Sequence, residues 1–184
     1  MNIKNILYLL IIFSLFLFLF GIIVYIISLI YSSIKGSPYV PTSKKLLKKF
    51  FGEIKFKKNS FFIELGSGDG RILRYIAKYY QINGLGVDIN PILVWFSKVY
   101  SWLENVNDRV KFERMDAMNV DLTKADYIYI FLMPKFIKKL RLKMEKELKK
   151  GVIVISHGFK IDNWDNKLFK ILKNKPFNTY FYRF

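Results

Sequence analysis

The sequence predicts an α/β fold, in which a mostly parallel sheet carries helices on both faces and is preceded by one apolar N-terminal helix. Three observations support this. The 26 residues from Ile6 to Tyr31 carry no charge. After them, short apolar runs alternate with stretches of helical periodicity. Those short runs are almost continuously apolar, as expected of strands buried on both faces of a parallel sheet.

The charge-free stretch predicts a membrane anchor at residues 1–31. As a helix it would span roughly 39 Å, against a hydrocarbon core of about 30 Å. A cleaved signal peptide is the alternative, but its apolar region would run about 7 to 15 residues and end in a small-residue cleavage site. Lys4 precedes the stretch and five lysines follow it closely, so the positive-inside rule predicts a cytoplasmic location for the rest of the chain. Those lysines are Lys35, Lys44, Lys45, Lys48 and Lys49.

The remaining residues are strongly basic, since 30 of the 31 basic and all 14 acidic residues lie in them. Such a charge suits nucleic acid or an anionic membrane surface. The 31 basic residues of the whole chain are 25 Lys and 6 Arg, however, and AT-rich codon usage produces the same mixture with Ile, Asn, Phe and Tyr. A nucleic-acid binder favours the bidentate guanidinium, so we predict no nucleic-acid partner. The absence of cysteine excludes disulfides and thiolate metal sites and fits a reducing compartment; we predict no metal site.

The elements after the anchor alternate between helix and strand. In "KGSPYVPT" two prolines hold a linker extended, and Thr42 or Ser43 caps a short helix. "FFIEL" predicts the first strand, residues 70–80 a helix, and "GLGVDI" the second strand. The apolar positions of the short helix are Leu46, Leu47, Phe50, Phe51 and Ile54.

Asn90 is placed to cap the next helix and Pro91 to occupy its first turn. This helix should run to about Leu103. Its apolar residues predict an inner stripe facing the sheet, formed by Trp95, Phe96, Val99, Trp102 and Leu103.

The C-terminal half continues the alternation. "VKFERMD" and "ADYIYIFLM" predict the third and fourth strands, and Pro134 opens a helix that Gly151 stops. "VIVISH" predicts the fifth strand, and the aromatic runs around "NKPFN" predict a closing pair of strands. The helix has apolar residues four apart, at Phe136, Leu140, Met144 and Leu148.

The loop after the first strand is the expected binding site, because ligands of parallel sheets bind at the carboxyl ends of the strands. Its glycines are Gly66, Gly68 and Gly70, with Arg71 where a dinucleotide fingerprint has its last glycine.

Two carboxylates, Glu64 and Asp69, crowd this loop. At about 5 Å and an effective dielectric constant of 20, each would repel a unit of phosphate charge by roughly 3 kcal/mol. A pyrophosphate is therefore disfavoured. A ligand with an ammonium and a sulfonium is favoured, and S-adenosylmethionine is such a ligand.

Two further carboxylates follow the next strands. Asp88 ends the second strand, where it can accept hydrogen bonds from both hydroxyls of a ribose. Asp116 follows the third strand and is placed to accept from an adenine amino group, with the backbone N–H of Ala117 facing a ring nitrogen. An ordinary turn residue is the alternative for Asp116.

Together, "ELGSGDGR" and "GVDINP" resemble the first two motifs of class I S-adenosylmethionine-dependent methyltransferases, over about residues 58–160. The resemblance implies a Rossmann-like, mostly parallel sheet of about seven strands. The order of membrane helix, "PYVPT", "GSGDGR", "NPILVW" and Trp164 is similar to the membrane-anchored protein lysine methyltransferases of the ATP synthase c-subunit and adenine nucleotide translocase type. The implied organisation is an anchor at 1–31, a linker and pre-core helix at 32–57, and a methyltransferase domain at 58–184.

The resemblance also implies site residues. The methionine part of the cofactor would lie against the first strand and its loop, the ribose against the end of the second strand, and the adenine past the third. The implied cofactor residues are Glu64, Gly66, Ser67, Gly68, Asp88, Ile89, Asp116 and Ala117.

On the substrate side, "PYVPT" would fold over the cofactor pocket with Tyr39 as a wall, or else serve as a plain linker. "FLMP" occupies the place where many methyltransferases position their acceptor, which makes Phe131, Met133 and Pro134 candidates. It lacks the Asn/Asp-Pro-Pro-aromatic motif of amino-group DNA methyltransferases. The only histidine, His157, is either a proton acceptor or structural.

These features predict a membrane-anchored methyltransferase that acts on lysine in a membrane or membrane-associated protein. Three alternatives stay open. One is methylation of a small amine or a lipid headgroup, another is a non-catalytic adaptor at the membrane that keeps the cofactor fold, and the third is RNA methylation, which only the positive charge supports.

Overall fold

A computed structural model describes residues 2–35 and 37–184, so Gly36 of the predicted linker lies outside the described part. The described residues form five α-helices and seven strands. The helices are α1 (Ile3–Lys35), α2 (Lys44–Phe51), α3 (Arg71–Tyr80), α4 (Pro91–Leu103) and α5 (Pro134–Glu147). The strands are β1 (Phe61–Leu65), β2 (Asn83–Asp88), β3 (Val110–Arg114), β4 (Tyr127–Ile130), β5 (Ile153–His157), β6 (Leu168–Leu172) and β7 (Thr179–Arg183).

All seven strands form one sheet in the order β3-β2-β1-β4-β5-β7-β6. The first five pair in parallel, whereas β7 is antiparallel to both β5 and β6. This is the mostly parallel, Rossmann-like sheet that the sequence predicted, including the closing pair of strands. Strand order reverses between β1 and β4, and ligands of such sheets bind at that point.

The core consists of two layers, one on each side of the sheet. Successive strand residues point to opposite faces, so Phe62 packs with α2, α3 and α4. Its neighbours Ile63 and Leu65 pack with α5 and Trp164 on the other face.

Helix α1 has 33 residues, a length of about 50 Å, and is long and apolar enough to cross a membrane. Its C-terminal turns contact the N-terminus of α4. The Asn90 side-chain amide donates to the carbonyl oxygen of Ser28 and to the hydroxyl of Ser32, each at 2.9 Å. The helix is therefore attached to the domain through a buried polar contact.

The predicted inner stripe of α4 is wrong. Trp95, Trp102 and Leu103 are 59%, 67% and 58% exposed, and Phe96 and Val99 are only half-buried. The side of α4 that packs against the sheet is instead formed by two apolar residues and two serines, Leu93, Val94, Ser97 and Ser101. Close approach explains this choice, because a Cβ at Gly70 would lie 2.7 Å from the Cβ of Ser97. A tryptophan would not fit there.

Smaller differences concern element ends. Ser43 rather than Thr42 caps α2, since its hydroxyl accepts from the backbone N–H of Leu46. Helix α5 ends at Glu147, before Gly151. Along α5, Leu140 and Met144 enter the core as predicted.

Candidate functional site

The loop between β1 and α3 requires glycine for both backbone and space. Gly66 and Gly68 have φ values of +78° and +53°, in the left-handed region that side chains disfavour. A Cβ at Gly66 would lie 2.7 Å from Cδ2 of Leu132, and one at Gly68 would lie 2.9 Å from the ring of Tyr39. The loop thus leaves its backbone open to a closely approaching ligand.

Asp88, at the end of β2, is fixed next to this loop. The backbone N–H of Gly68 donates to Oδ2 and that of Asn90 to Oδ1, each at 2.8 Å. Burial raises the pKa of Asp88, while those two N–H groups and that of Ile89 oppose the rise. Each oxygen keeps a lone pair for a further donor.

Glu64 is 2% exposed, and its Oε2 accepts from the backbone N–H of Leu73 at 3.0 Å. Burial raises the pKa of Glu64 well above its ordinary value; the Leu73 N–H and the charge of Arg74 oppose the rise, and the charges of Asp69 and Asp88 add to it. A buried carboxylate without a cationic partner is costly. A cationic ligand in the pocket would supply that partner.

Asp69 plays a different part from the one the loop suggested. It forms a bidentate contact with Arg71, whose Nη2 lies 2.8 Å from Oδ2 and whose Nε lies 3.0 Å from Oδ1. Burial acts to raise the pKa of Asp69, but the hydrogen bonds and charge of Arg71 outweigh it and the pKa is lowered. Arg71 therefore neutralises Asp69, and Glu64 carries the attraction for a cation.

The segment Pro38–Thr42, the "PYVPT" motif, lines the pocket. Arg71 holds it there by donating to the hydroxyl of Tyr39 at 3.0 Å and to the carbonyl of Thr42 at 3.3 Å. Burial, and then the charge of Asp69, raise the pKa of Tyr39 to about 12. The hydrogen bond from Arg71 fixes the Tyr39 ring against Gly68.

The pocket has a volume of about 390 Å³, within the range of about 300 to 1,000 Å³ usual for ligand sites. It brings together the eight residues that the resemblance implied for the cofactor, together with Tyr39 and Phe131. Met133 and Pro134 are placed instead at the start of α5, where the N–H of Met133 donates to the hydroxyl of Ser37 at 2.6 Å. The cofactor-side residues in the wall are Glu64, Gly66, Ser67, Gly68, Asp88, Ile89, Asp116 and Ala117.

Sequence reasoning missed several wall residues, among them Tyr129, Leu132 and Phe136, and also Tyr31 and Ser32 of α1. Tyr129 is paired with Glu64 in the register of β4 on β1. The sequence could have predicted this pairing, because two adjacent parallel strands with aligned ends place these residues side by side. The contribution of α1 had no sequence signal, since it depends on how the helix packs.

Asp116 has a structural task as well as a place in the pocket wall. Its Oδ1 accepts from the N–H of Met118 at 2.9 Å and caps a short 3₁₀ turn, Ala117–Asn119. The turn alternative is thus observed. The adenine contact stays a prediction.

His157 lies at the end of β5 and is 3% exposed. The centroid of its ring is 4.5 Å from that of Phe131 and 4.8 Å from that of Phe50. Its Nδ1 is 2.9 Å from the hydroxyl oxygen of Thr179. Burial lowers the pKa of His157 to about 4. It is therefore neutral at pH 7 and packs behind the pocket wall.

The residues present fit S-adenosylmethionine. The buried Oγ of Ser67 has no hydrogen-bond partner within the part of the chain that the structure describes, and it lies in the pocket wall. Glu64 and Asp88 offer carboxyl oxygens with free lone pairs nearby. These groups match an ammonium and a ribose diol, whereas a pyrophosphate at the loop would meet the carboxyl group of Glu64.

Solved structures with the same fold support this assignment. An RNA methyltransferase from Salinibacter ruber, in complex with S-adenosyl-L-homocysteine, superposes with a TM-score of 0.74 at 27% identity, covering 78% of this chain and 93% of that one. A methyltransferase from Geobacter sulfurreducens with the same ligand superposes with a TM-score of 0.57 at 23% identity over 64% of this chain and 49% of that one. Fold and site define a class I S-adenosylmethionine-dependent methyltransferase.

Sequence comparison gives the family. The model of the ANTKMT methyltransferase domain matches residues 64–168, and the chain belongs to this family. A protein-lysine N-methyltransferase from Saccharolobus islandicus is 32% identical over 71% of this chain and 81% of its own length. The human lysine N-methyltransferase of the ATP synthase c-subunit is 32% identical over 69% of this chain. The aligned part is only 54% of that human protein's length.

Proposed function

We propose that this chain is a membrane-anchored enzyme that transfers the methyl group of S-adenosylmethionine to a lysine side chain of a membrane or membrane-associated protein. The observation that carries the assignment of the cofactor is the buried Glu64 beside the glycine loop, whose carboxylate a cationic ligand would stabilise. Two relatives, the archaeal and human proteins, are named as lysine N-methyltransferases, which supports the acceptor.

Three groups of residues would hold the cofactor. Glu64 and the unpartnered Ser67 hydroxyl would bind the methionine part, with the loop amides receiving its carboxylate. Asp88 would bind the ribose, and Asp116 with Ala117 would bind the adenine. The Tyr39 ring, fixed by Arg71, would cover the ligand and exclude water.

The bound cofactor would supply a methyl group that is already activated by its sulfonium. The chain's own task is then to position the acceptor and to favour its neutral amine. A lysine with an ordinary pKa near 10.4 costs about 4.6 kcal/mol to deprotonate at pH 7. The aromatic residues of the pocket wall, Phe131, Phe136 and Tyr129, would lower that cost by desolvating the amine.

The membrane half of the proposal rests on α1. The most apolar 18-residue stretch of α1 has a mean hydropathy of 3.1, and none of it is buried against the rest of the described protein. A helix of that composition would be unstable if it were exposed to water. The lysines that follow it favour a cytoplasmic location of the domain. Anchoring would raise the effective concentration of membrane substrates at the site.

RNA methylation is the second candidate, because the Salinibacter ruber structure is named as an RNA methyltransferase and the chain has a net charge of +17. It is weaker than the lysine proposal, because the relatives that match the chain in sequence are named as lysine enzymes.

One labelling experiment separates these acceptors. Native membranes are incubated with the purified full-length chain and methyl-labelled cofactor, and the label is measured in protein, lipid and RNA fractions. We expect label in protein, released on hydrolysis as methylated lysine. Label confined to lipid or RNA would refute the lysine proposal, and Asp88→Ala serves as the inactive control.

A further inference from the structure

The apolar side of α4 faces away from the protein. Trp95, Trp102 and Leu103 are more than half exposed, although the chain buries its third tryptophan, Trp164, completely. Together with Phe96 they form a surface that we name the α4 aromatic face. A clustered apolar surface of this kind marks a contact with a partner or a membrane.

The α4 aromatic face continues directly onto α1. The rings of Trp95 and Phe96 are 5.1 Å apart, and the ring of Phe96 lies 6.2 Å from that of Tyr25 in an edge contact. One turn further along α1, Ser28 and Ser32 accept hydrogen bonds from Asn90 at the start of α4. The face is therefore tied to the last turns of the apolar helix.

The length of α1 gives the depth of these contacts. A hydrocarbon core of about 30 Å takes about 20 helical residues. Counted from Ile6, where the charge-free stretch begins, those residues end near Tyr25. In a bilayer that α1 crosses in this way, α4 would lie at the depth of the lipid headgroups, because it contacts α1 from Tyr25 to Ser32. Tryptophan is enriched at that depth in membrane proteins, since its ring is apolar and its N–H is polar.

We propose that α4 is an interfacial helix whose aromatic face inserts into the headgroup region of the bilayer that α1 crosses. The inference rests on the proposed membrane anchoring and adds a second membrane contact to it. Exposed Lys98 lies between Trp95 and Trp102 along the same side, where its ammonium can reach lipid phosphates while its stem stays in the apolar layer.

The inserted α4 would fix how the domain sits on the membrane. Tyr31 and Ser32, which belong to the same end of α1, line the candidate pocket. With both α1 and α4 held, that side of the pocket faces the bilayer surface rather than turning freely about a single anchor. Acceptor groups close to the headgroups would then be favoured over groups far from them.

Quenching by brominated lipid tests the insertion. The full-length chain is reconstituted in vesicles of phosphatidylcholine and phosphatidylglycerol, with or without phosphatidylcholine brominated near the carboxyl end of its acyl chains. We expect the brominated lipid to quench most of the fluorescence that Trp95 and Trp102 contribute. In the double variant Trp95→Phe/Trp102→Phe, only buried Trp164 remains, and we expect its emission to be unchanged.

A matched control uses an exposed position on the opposite face of the sheet. Leu142 on α5 is 54% exposed, and Leu142→Trp in the double variant should give an indole that aqueous acrylamide quenches and brominated lipid does not. If brominated lipid leaves wild-type emission unchanged in these vesicles, which contain no other protein, α4 is not inserted and the proposal is overturned.

Flotation of the same vesicles after alkaline carbonate treatment separates this proposal from the anchoring proposal. A chain that floats with the vesicles but is not quenched is anchored by α1 alone, which contradicts only the insertion of α4. A chain that carbonate releases contradicts the anchor, and the insertion of α4 with it.

Discussion

At the scale of single residues, the site is organised by how each carboxylate is partnered. Asp69 is neutralised by Arg71, and Asp88 is held by two backbone N–H groups. Glu64 is the most deeply buried of the three and accepts from the N–H of Leu73. The charge of Arg74 acts on it as well, but the described residues form no direct ion pair with it. The selectivity of the loop for a cationic ligand therefore depends chiefly on Glu64.

The variant Glu64→Gln should weaken S-adenosylmethionine binding by tenfold or more, because a hydrogen bond or ion pair with a charged group contributes about 1.5 to 3 kcal/mol. The pH dependence should change as well. A bound cation favours ionised Glu64, so wild-type affinity should rise with pH until the pH exceeds the raised pKa of the free protein. Calorimetry over a pH series measures both effects. Equal affinity and equal pH dependence in the variant would contradict this role.

The variant Gly68→Ala should lose cofactor affinity, because its Cβ would meet the Tyr39 ring at 2.9 Å in addition to the strain at φ +53°. Gly151→Ala is the matched control, since Gly151 also has a positive φ of +93° but its Cβ would meet no atom of the described chain within 4 Å. Both variants should lower stability by about 1 kcal/mol. Only Gly68→Ala should weaken binding; a similar loss in both would show that strain alone is responsible.

His157 should make the fold acid-sensitive. Its pKa in the folded state, about 4, lies below its ordinary value of 6.5, so the unfolded chain binds more protons between these values. The contribution of His157 to the free energy of unfolding should therefore rise as pH increases from about 4 to 6.5 and stay constant above 6.5. Thermal unfolding across this range, compared between wild type and His157→Gln, measures the difference. An unchanged slope in the variant would contradict the lowered pKa.

At the scale of elements, the sequence predicted every strand and α-helix of the described chain, because most strands are short apolar runs between turn residues and the α-helices have a clear period. It assigned the wrong side of α4 to the core. Periodicity reports an apolar side but does not say whether protein or lipid covers it. The true inner side contains Ser97 and Ser101, which no scale based on hydrophobicity would select.

The same limit applies within the site. Glu64, the loop glycines and Asp88 follow buried strands directly, so their position at the sheet edge could be predicted from the sequence. Tyr129 looks like any core residue of an apolar strand, and Arg71 looked like a missing glycine. Their roles come from strand register and from the packing of "PYVPT", both of which are set by contacts distant in the chain.

Asn90 links two elements, because its Oδ1 accepts from the N–H groups of Ile92 and Leu93 while its Nδ2 binds α1. Asn90→Ala should therefore cost more than the roughly 1 kcal/mol typical of a lost helix cap. Ser43→Ala, which removes only the cap of α2, is the control. Hydrogen exchange of Ser28 to Ser32 should accelerate in Asn90→Ala and not in Ser43→Ala. Unchanged exchange there would show that the contact does not hold α1.

At the scale of the whole molecule, one polar and aromatic contact joins an apolar helix to a methyltransferase domain. Tyr31 and Ser32 of α1 reach the same pocket as Glu64 and Asp88 of the sheet. Helix α1 and the site are thus one structural unit rather than two parts joined by a free linker. The short segment Pro38–Thr42 connects them and is itself part of the pocket wall.

The selectivity of the pocket for a cationic adenosine ligand can be measured by calorimetric titration of the full-length chain, in detergent micelles, with S-adenosylmethionine and separately with NAD. The two ligands share adenosine but differ in charge, since NAD carries a pyrophosphate where the other carries a sulfonium and an ammonium. We expect saturable binding of S-adenosylmethionine, lost in Asp88→Ala, and no binding of NAD. Binding of NAD without binding of S-adenosylmethionine would contradict the role of Glu64 and the cofactor assignment together.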